Sequence, residues 1–285
     1  MSDLGPHDTV LCTAMMGFGS LRTFIESAGA PGFSAISIAI GDYKEGRASG
    51  LSDADIRSLL ADNGVRVAEL DGIVTWLRPL PIEQGEGYGL DHPFFGPDAE
   101  EFFAMAAALR ARSVTVVDPF AGTAPLDQMV EAFASACDRA AEQGLLVHLE
   151  FLSWGPVANL ATAWDIVRLA DRPNGGIMLD TLHLMRSGSR ELLAKIPSER
   201  IFATQFCDGT AERISDPFSD AANRLWLCEG QFDLAGILRE VRANGCTAPL
   251  GIEVMNDESR AMAPVDIAKR AFESLSRLKQ QAQSS

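Results

Sequence analysis

The sequence predicts a single-domain α/β protein, a (β/α)8 TIM barrel spanning residues 1–285. Three observations lead there. Eight short, apolar, β-leaning runs alternate with longer amphipathic stretches from end to end. No shift in composition divides the chain, and 285 residues fit one barrel of typically ~250. Polar residues gather at the C-terminal ends of the last four runs, where barrels of this kind carry their chemistry.

The strand candidates are TVLCTA (9–14), AISIAI (35–40), RVAELD (66–71), SVTVVD (113–118), LLVHLEF (145–151), GIMLD (176–180), IFATQFC (201–207) and PLGIEV (249–254). Helix-like stretches lie between them at 19–28, 52–63, 98–111, 125–143, 157–171 and 232–244. Ser52 and Asp98 are expected N-caps, each followed by acidic residues that favour the positive end of a helix. Gly64, Gly144 and Gly245 stand where a left-handed cap ends a helix. Eight strand–helix units argue for a parallel sheet, and eight closes a barrel. A doubly wound open sheet is the alternative, but no GxGxxG follows the first strand and no GxxxxGK[ST] occurs. The Gly/Pro-rich connection 77–97 is expected beside the active site.

The chain has 24 Lys and Arg against 39 Asp and Glu, a formal net charge of −15. Such a surface repels phosphate backbones and anionic lipid, so neither nucleic acid nor a membrane is an expected partner. No stretch approaches the ~20 apolar residues that span a bilayer. The N-terminus lacks the basic start and apolar core of a secretion signal, which points to the cytoplasm. The five cysteines contain no CxxC pair and are expected to be buried, reduced thiols.

Alternation along the strands sorts side chains between the helices and the barrel axis. In the fifth strand Val147, Leu149 and Phe151 share the apolar parity, which turns His148 and Glu150 inward. The same reasoning turns Asp180 inward on the sixth strand and Glu253 on the eighth. Three acids thus converge in a confined space, and no Lys or Arg lies within the last four strands to balance them. Unpaired interior charge is strongly penalised, and a divalent cation bound by hard oxygen donors relieves it.

This pattern resembles the second half of xylose isomerase-like barrels, the sugar isomerase and epimerase family. The resemblance lies in a Glu on strand 5 (Glu150), Asp-x-x-His on strand 6 (Asp180 to His183), Gln205 on strand 7 and Glu253 on strand 8. The stretch from Arg224 to Asp233 is similar to a further family segment. The resemblance covers roughly 140–260 and implies Glu150, Asp180, Gln205 and Glu253 as metal ligands, with His183 facing the substrate. Gln205 stands where most family epimerases carry His; its harder amide oxygen favours Mg2+ or Mn2+ over Zn2+. Pro156 replaces a Glu expected of ketose 3-epimerases. A homo-oligomer is left open.

The expected activity is isomerisation or epimerisation of a sugar or polyhydroxy-ketone through an enediolate. Glu150 and Glu253 are the candidate bases, and His183 orients or protonates an oxygen. Arg224 is a candidate for a substrate oxygen, and Trp154, Trp76, Asp71 and His148 are candidates for the pocket. His148, deeper in the barrel, is expected to hydrogen-bond a ligand side chain, and Cys207 to be a packed thiol. One alternative is a metal-dependent lyase that dehydrates a cyclic hydroxyketone of the 3-dehydroshikimate or inosose type. Another is a non-catalytic barrel that binds a ligand or serves as a partner subunit. An apurinic endonuclease needs a His-rich three-zinc cluster, and only four histidines are present.

Overall fold

The computed structural model describes residues 4–17, 19–77, 99–120 and 122–284. Nearly all of the 77–97 connection, His92 within it and the expected Asp98 cap lie outside the described residues. The eight strands are β1 (Thr9–Cys12), β2 (Ala35–Ala39), β3 (Arg66–Ile73), β4 (Ser113–Val116), β5 (Leu146–Glu150), β6 (Gly175–Asp180), β7 (Ile201–Phe206) and β8 (Leu250–Ile252). Each pairs in parallel with the next, and β8 returns to β1 through Val10↔Gly251. The sheet is closed, which rules out the doubly wound alternative.

The helices surround it: α1 (Leu21–Gly29), α2 (Ile40–Ala48), α3 (Asp53–Asp62), α4 (Ala99–Leu109), α5 (Leu126–Ala141) and α6 (Leu160–Ala170). They continue as α7 (Thr181–Arg186), α8 (Pro217–Ala221), α9 (Leu234–Ala243), α10 (Asp257–Ala261) and α11 (Pro264–Ser284). Ser52 caps α3 as its sequence predicts, its hydroxyl accepting the Asp55 N–H while Asp55 accepts from the Ser52 backbone. Gly64, Gly144 and Gly245 adopt φ of 65°, 69° and 85° after α3, α5 and α9. Only glycine adopts this left-handed conformation without cost.

The main core lies between cylinder and helices, where Val147, Leu149, Phe151, Ile177, Leu179 and Ile252 are all buried. Trp76 belongs to this layer too. It packs edge-on against Phe133 of α5, with ring centroids 6.5 Å apart. Its expected place in the substrate pocket is therefore corrected: just beyond β3 it falls on the helix-facing side, beside Phe103 of α4. His148 does point into the cylinder, but below the mouth. It is fully buried, and its Nε2 meets Ser113 Oγ at 3.0 Å. A substrate-contacting role for His148 is corrected as well, and the partner of its ring is a β4 serine rather than a ligand carboxylate.

Candidate active site

A cavity of about 570 Å³ opens at the C-terminal end of the strands. Cys12, Asp71, Glu150, His183, Arg224 and Glu253 form its polar floor, and Leu152, Trp154, Phe218 and Met255 stand among its apolar walls. The strands put these groups there for a simple reason. Glu150 and Asp180 are the last residues of β5 and β6, and Glu253 is the first residue beyond β8. Asp180 and Gln205 are neighbours in the register of β6 and β7.

Asp180 performs two tasks. As the N-cap of α7 its Oδ1 accepts the Leu182 and His183 N–H groups at 2.7 and 3.2 Å. Its Oδ2 accepts from Arg224 Nη1 at 2.7 Å. Burial alone would raise its pKa, but the Arg224 charge holds it below the usual carboxylate range. His183 follows one helical turn later, with its ring edge-on to Trp154 at 5.1 Å. Burial pushes its imidazole down to about 4, so the ring is neutral at pH 7, and its buried Nδ1 has no partner among the described residues.

No Lys or Arg lies within the last four strands, as the sequence shows, but Arg224 reaches the acids from outside them. It arrives from the segment after β7 and is 2% exposed. Its Nη1 lies 2.7 Å from Asp180 Oδ2 and 2.7 Å from Glu253 Oε2. Asp208 fixes that segment: its side chain accepts the Gly209, Gly230 and Phe232 N–H groups, and its backbone pairs with Leu225. The guanidinium is thus carried into the floor by a folded loop, and it is already committed to two carboxylates.

Glu253 is held on its other oxygen as well, where Cys12 Sγ donates at 3.1 Å. Gln205 Nε2 spans Glu253 Oε1 at 3.4 Å and Asp71 Oδ2 at 3.3 Å. Burial, and then the charge of Glu253, push Asp71 up to about 7. Burial also raises Glu253, against the pull of Arg224. Glu150 accepts no hydrogen bond among the described residues. Burial and the charges of Asp71, Glu253 and Asp180 push its carboxyl well above the usual range. Cys207 is a packed thiol as expected, with its pKa pushed up to about 12 by burial.

Metal-competent atoms cluster in two groups, each within 4.8 Å: Glu150, Asp180 and His183, and Cys12, Asp71 and Glu253. Among the described residues four carboxylates face one guanidinium, and the buried Gln205 Oε1 has no donor. Hard acceptors with an excess of negative charge and an orphaned amide oxygen fit a divalent cation. Cys12 was expected only as a buried thiol; its place at the C-terminal end of β1 was the signal that it faces the floor.

The buried acids thus lie at the C-terminal face of a closed parallel barrel, the face where (β/α)8 enzymes carry their active sites. Residues 25–280 match the family described as xylose isomerase-like TIM barrel, and the chain belongs to that family. It is 31% identical over 250 residues to a 3-dehydroshikimate dehydratase of Pseudomonas aeruginosa, covering 85% of this chain and 37% of that protein. The chain therefore spans well under half of that relative. An inosose isomerase of Bacillus licheniformis is 26% identical over 147 residues, 50% of this chain and 52% of its own. A solved xylose isomerase-like TIM barrel/4-hydroxyphenylpyruvate dioxygenase fusion protein superposes with a TM-score of 0.82 at 25% identity, over 97% of this chain and 43% of that one. Among the described residues no helix is long and apolar enough to cross a membrane.

Proposed function

We propose that the chain is a metal-dependent carbon–oxygen lyase that dehydrates a cyclic hydroxyketone of the 3-dehydroshikimate type. The observation that carries this reading is the Asp71–Glu253 pair on the cavity floor. Two carboxylates so close resist ionising together, and burial raises both, so the pair favours keeping a proton on one member. One member is then a base and the other an acid, and elimination of water needs one of each. The similarity to the Pseudomonas dehydratase supports the same reading.

Glu150, Asp180, Gln205 and Glu253 would hold the divalent ion, which when bound supplies Lewis acidity that lowers the pKa of a carbon–hydrogen bond beside a carbonyl. Glu253, fixed by Arg224, Cys12 and Gln205, takes the proton α to the carbonyl. The electron pair left behind forms the new C=C bond, and the C–O bond at the β carbon breaks. Asp71 delivers its proton to the departing oxygen, which leaves as water. Glu253 then loses its proton, and Asp71 regains one, by exchange with solvent once the product has left the cavity. His183 stays neutral and places its imidazole beside Trp154, which walls the ring-shaped substrate away from water.

Isomerisation begins with the same proton removal and returns the proton to carbon, and the inosose isomerase relatives keep that second reading in view. Incubation of the Mg2+- or Mn2+-loaded protein with 3-dehydroshikimate in D2O separates the two. Aromatic-product absorbance supports dehydration. Solvent deuterium in unchanged ketone, without absorbance, supports isomerisation. Neither signal would leave the non-catalytic barrel.

A further inference from the structure

The opposite end of the barrel carries another cavity of about 370 Å³, between the segment before β1, α9, the start of β8 and α11, its walls mostly apolar with basic side chains set among them. Arg239 and Arg242 stand three residues apart on α9, and Lys279 and Gln283 four apart on α11, so each pair shares one helix face. His7 borders the same space, and Leu238, Leu250 and Ala282 wall it.

In a chain of net charge −15, cations usually find carboxylates, as Arg172 does with Asp138 and Arg186 with Asp220. This cluster differs. Arg239 Nη1 is buried without a hydrogen-bond partner, and neither Arg239 nor Lys279 makes an ion pair among the described residues. Arg242 is spread over the Cys246, Ala248 and Pro6 carbonyls at 2.8, 2.8 and 3.1 Å, which leaves its charge unneutralised. Burial and the Arg242 charge lower the Lys279 ammonium from its ordinary value. Asp8, the nearby acid, is engaged by Arg66 at 2.6 Å.

We propose that this cavity binds a small phosphate-bearing metabolite, with Arg239 and Lys279 as its principal contacts. Three converging cations suit a group that carries about −1.5 to −2 charges at neutral pH better than a single carboxylate. A buried guanidinium nitrogen without an acceptor is costly, and turning the Arg239 side chain into the cavity it lines would let a phosphate oxygen supply one. The walls leave room for a short carbon skeleton behind the phosphate. The site stands apart from the catalytic carboxylates and does not depend on the proposed reaction.

Calorimetry at low ionic strength tests this with inorganic phosphate, glycerol 3-phosphate and succinate. The wild type is expected to bind both phosphates, with glycerol 3-phosphate the tighter and succinate the weakest. R239Q and K279Q should each weaken phosphate binding about tenfold, and the double variant more. Arg242 is left intact because its carbonyl contacts hold the fold. R213Q, in the exposed loop after β7 at the other end of the barrel, should bind phosphate as the wild type does. Absence of phosphate binding, a preference for succinate, binding that survives R239Q/K279Q, or an equal loss in R213Q would each overturn the proposal.

Discussion

Arg224 Nη1 lies 2.7 Å from a carboxylate oxygen of Asp180 and 2.7 Å from one of Glu253, and all three side chains are buried. The guanidinium joins the ends of β6 and β8 across β7. Removing it leaves two interior carboxylates facing each other. R224M is therefore expected to lose about 3–5 kcal/mol of stability in the metal-free protein, measured by urea unfolding. Added Mg2+ or Mn2+ should return part of that loss, because a second cation then compensates the same charges. A variant as stable as the wild type would show that the pair is not a stabilising contact.

Among the described residues Glu150 differs from Asp180 in accepting no hydrogen bond and making no ion pair, with Arg224 acting on it only at a distance. Burial and the neighbouring carboxylates push its carboxyl well above the usual range, which favours the protonated form in the metal-free protein. Glutamine closely resembles that protonated form, so E150Q should leave metal-free stability unchanged within about 1 kcal/mol. It should weaken divalent-ion binding by about a hundredfold and remove turnover, since a charged ligand is lost. Calorimetric metal titration together with the absorbance assay reads both effects. Full ion affinity in E150Q would remove Glu150 from the ligand set.

Asp71 and Glu69 give a pH dependence with a definite sign. Their folded-state values stand at about 7 and about 8, above ordinary values of 3.8 and 4.5, with burial the largest cause in each. The folded chain therefore holds protons that the unfolded chain releases. Their contribution to metal-free stability is greatest at low pH and is lost as pH rises through about 7 and then about 8. Asp180, whose value is lowered, acts in the opposite sense at more acidic pH. Urea midpoints between about pH 5 and pH 8.5 should fall for the wild type and fall less for D71N and E69Q. Metal affinity should rise over the same interval, as protons leave the floor. A midpoint that climbs toward pH 8.5 would contradict both assignments.

The legible part of this protein was its periodic part. Strand parity placed Glu150, Asp180 and Glu253 at one mouth because a two-residue repeat has only two faces to choose between. Ser52 and the three cap glycines marked helix ends because each meets a local hydrogen-bonding or backbone demand. Arg224 was named as a substrate contact, yet its place among the acids was not legible. It depends on a loop folded by Asp208 contacts to residues up to 24 positions away. His148 was correctly turned inward, but its depth followed from barrel stagger, which alternation does not encode. Asp71 was named for the pocket, while its pairing with Glu253 joins β3 to the far side of the barrel and has no local signature.

Trp76 and Trp154 were expected to share the pocket, and the structure separates them. Trp154 borders the cavity, donates its indole N–H to Pro119 O at 2.9 Å and meets Phe218 at 5.2 Å. Trp76 is buried against Phe133 outside the cylinder. Truncation should therefore affect two different quantities. W76A opens a core cavity and should cost about 3–5 kcal/mol of stability while leaving the KM of the folded fraction unchanged. W154A removes an apolar wall from a site that stays folded, so KM should rise about tenfold with a smaller loss of stability. Paired urea and steady-state measurements separate the two, and a raised KM in W76A with intact stability would return Trp76 to the pocket.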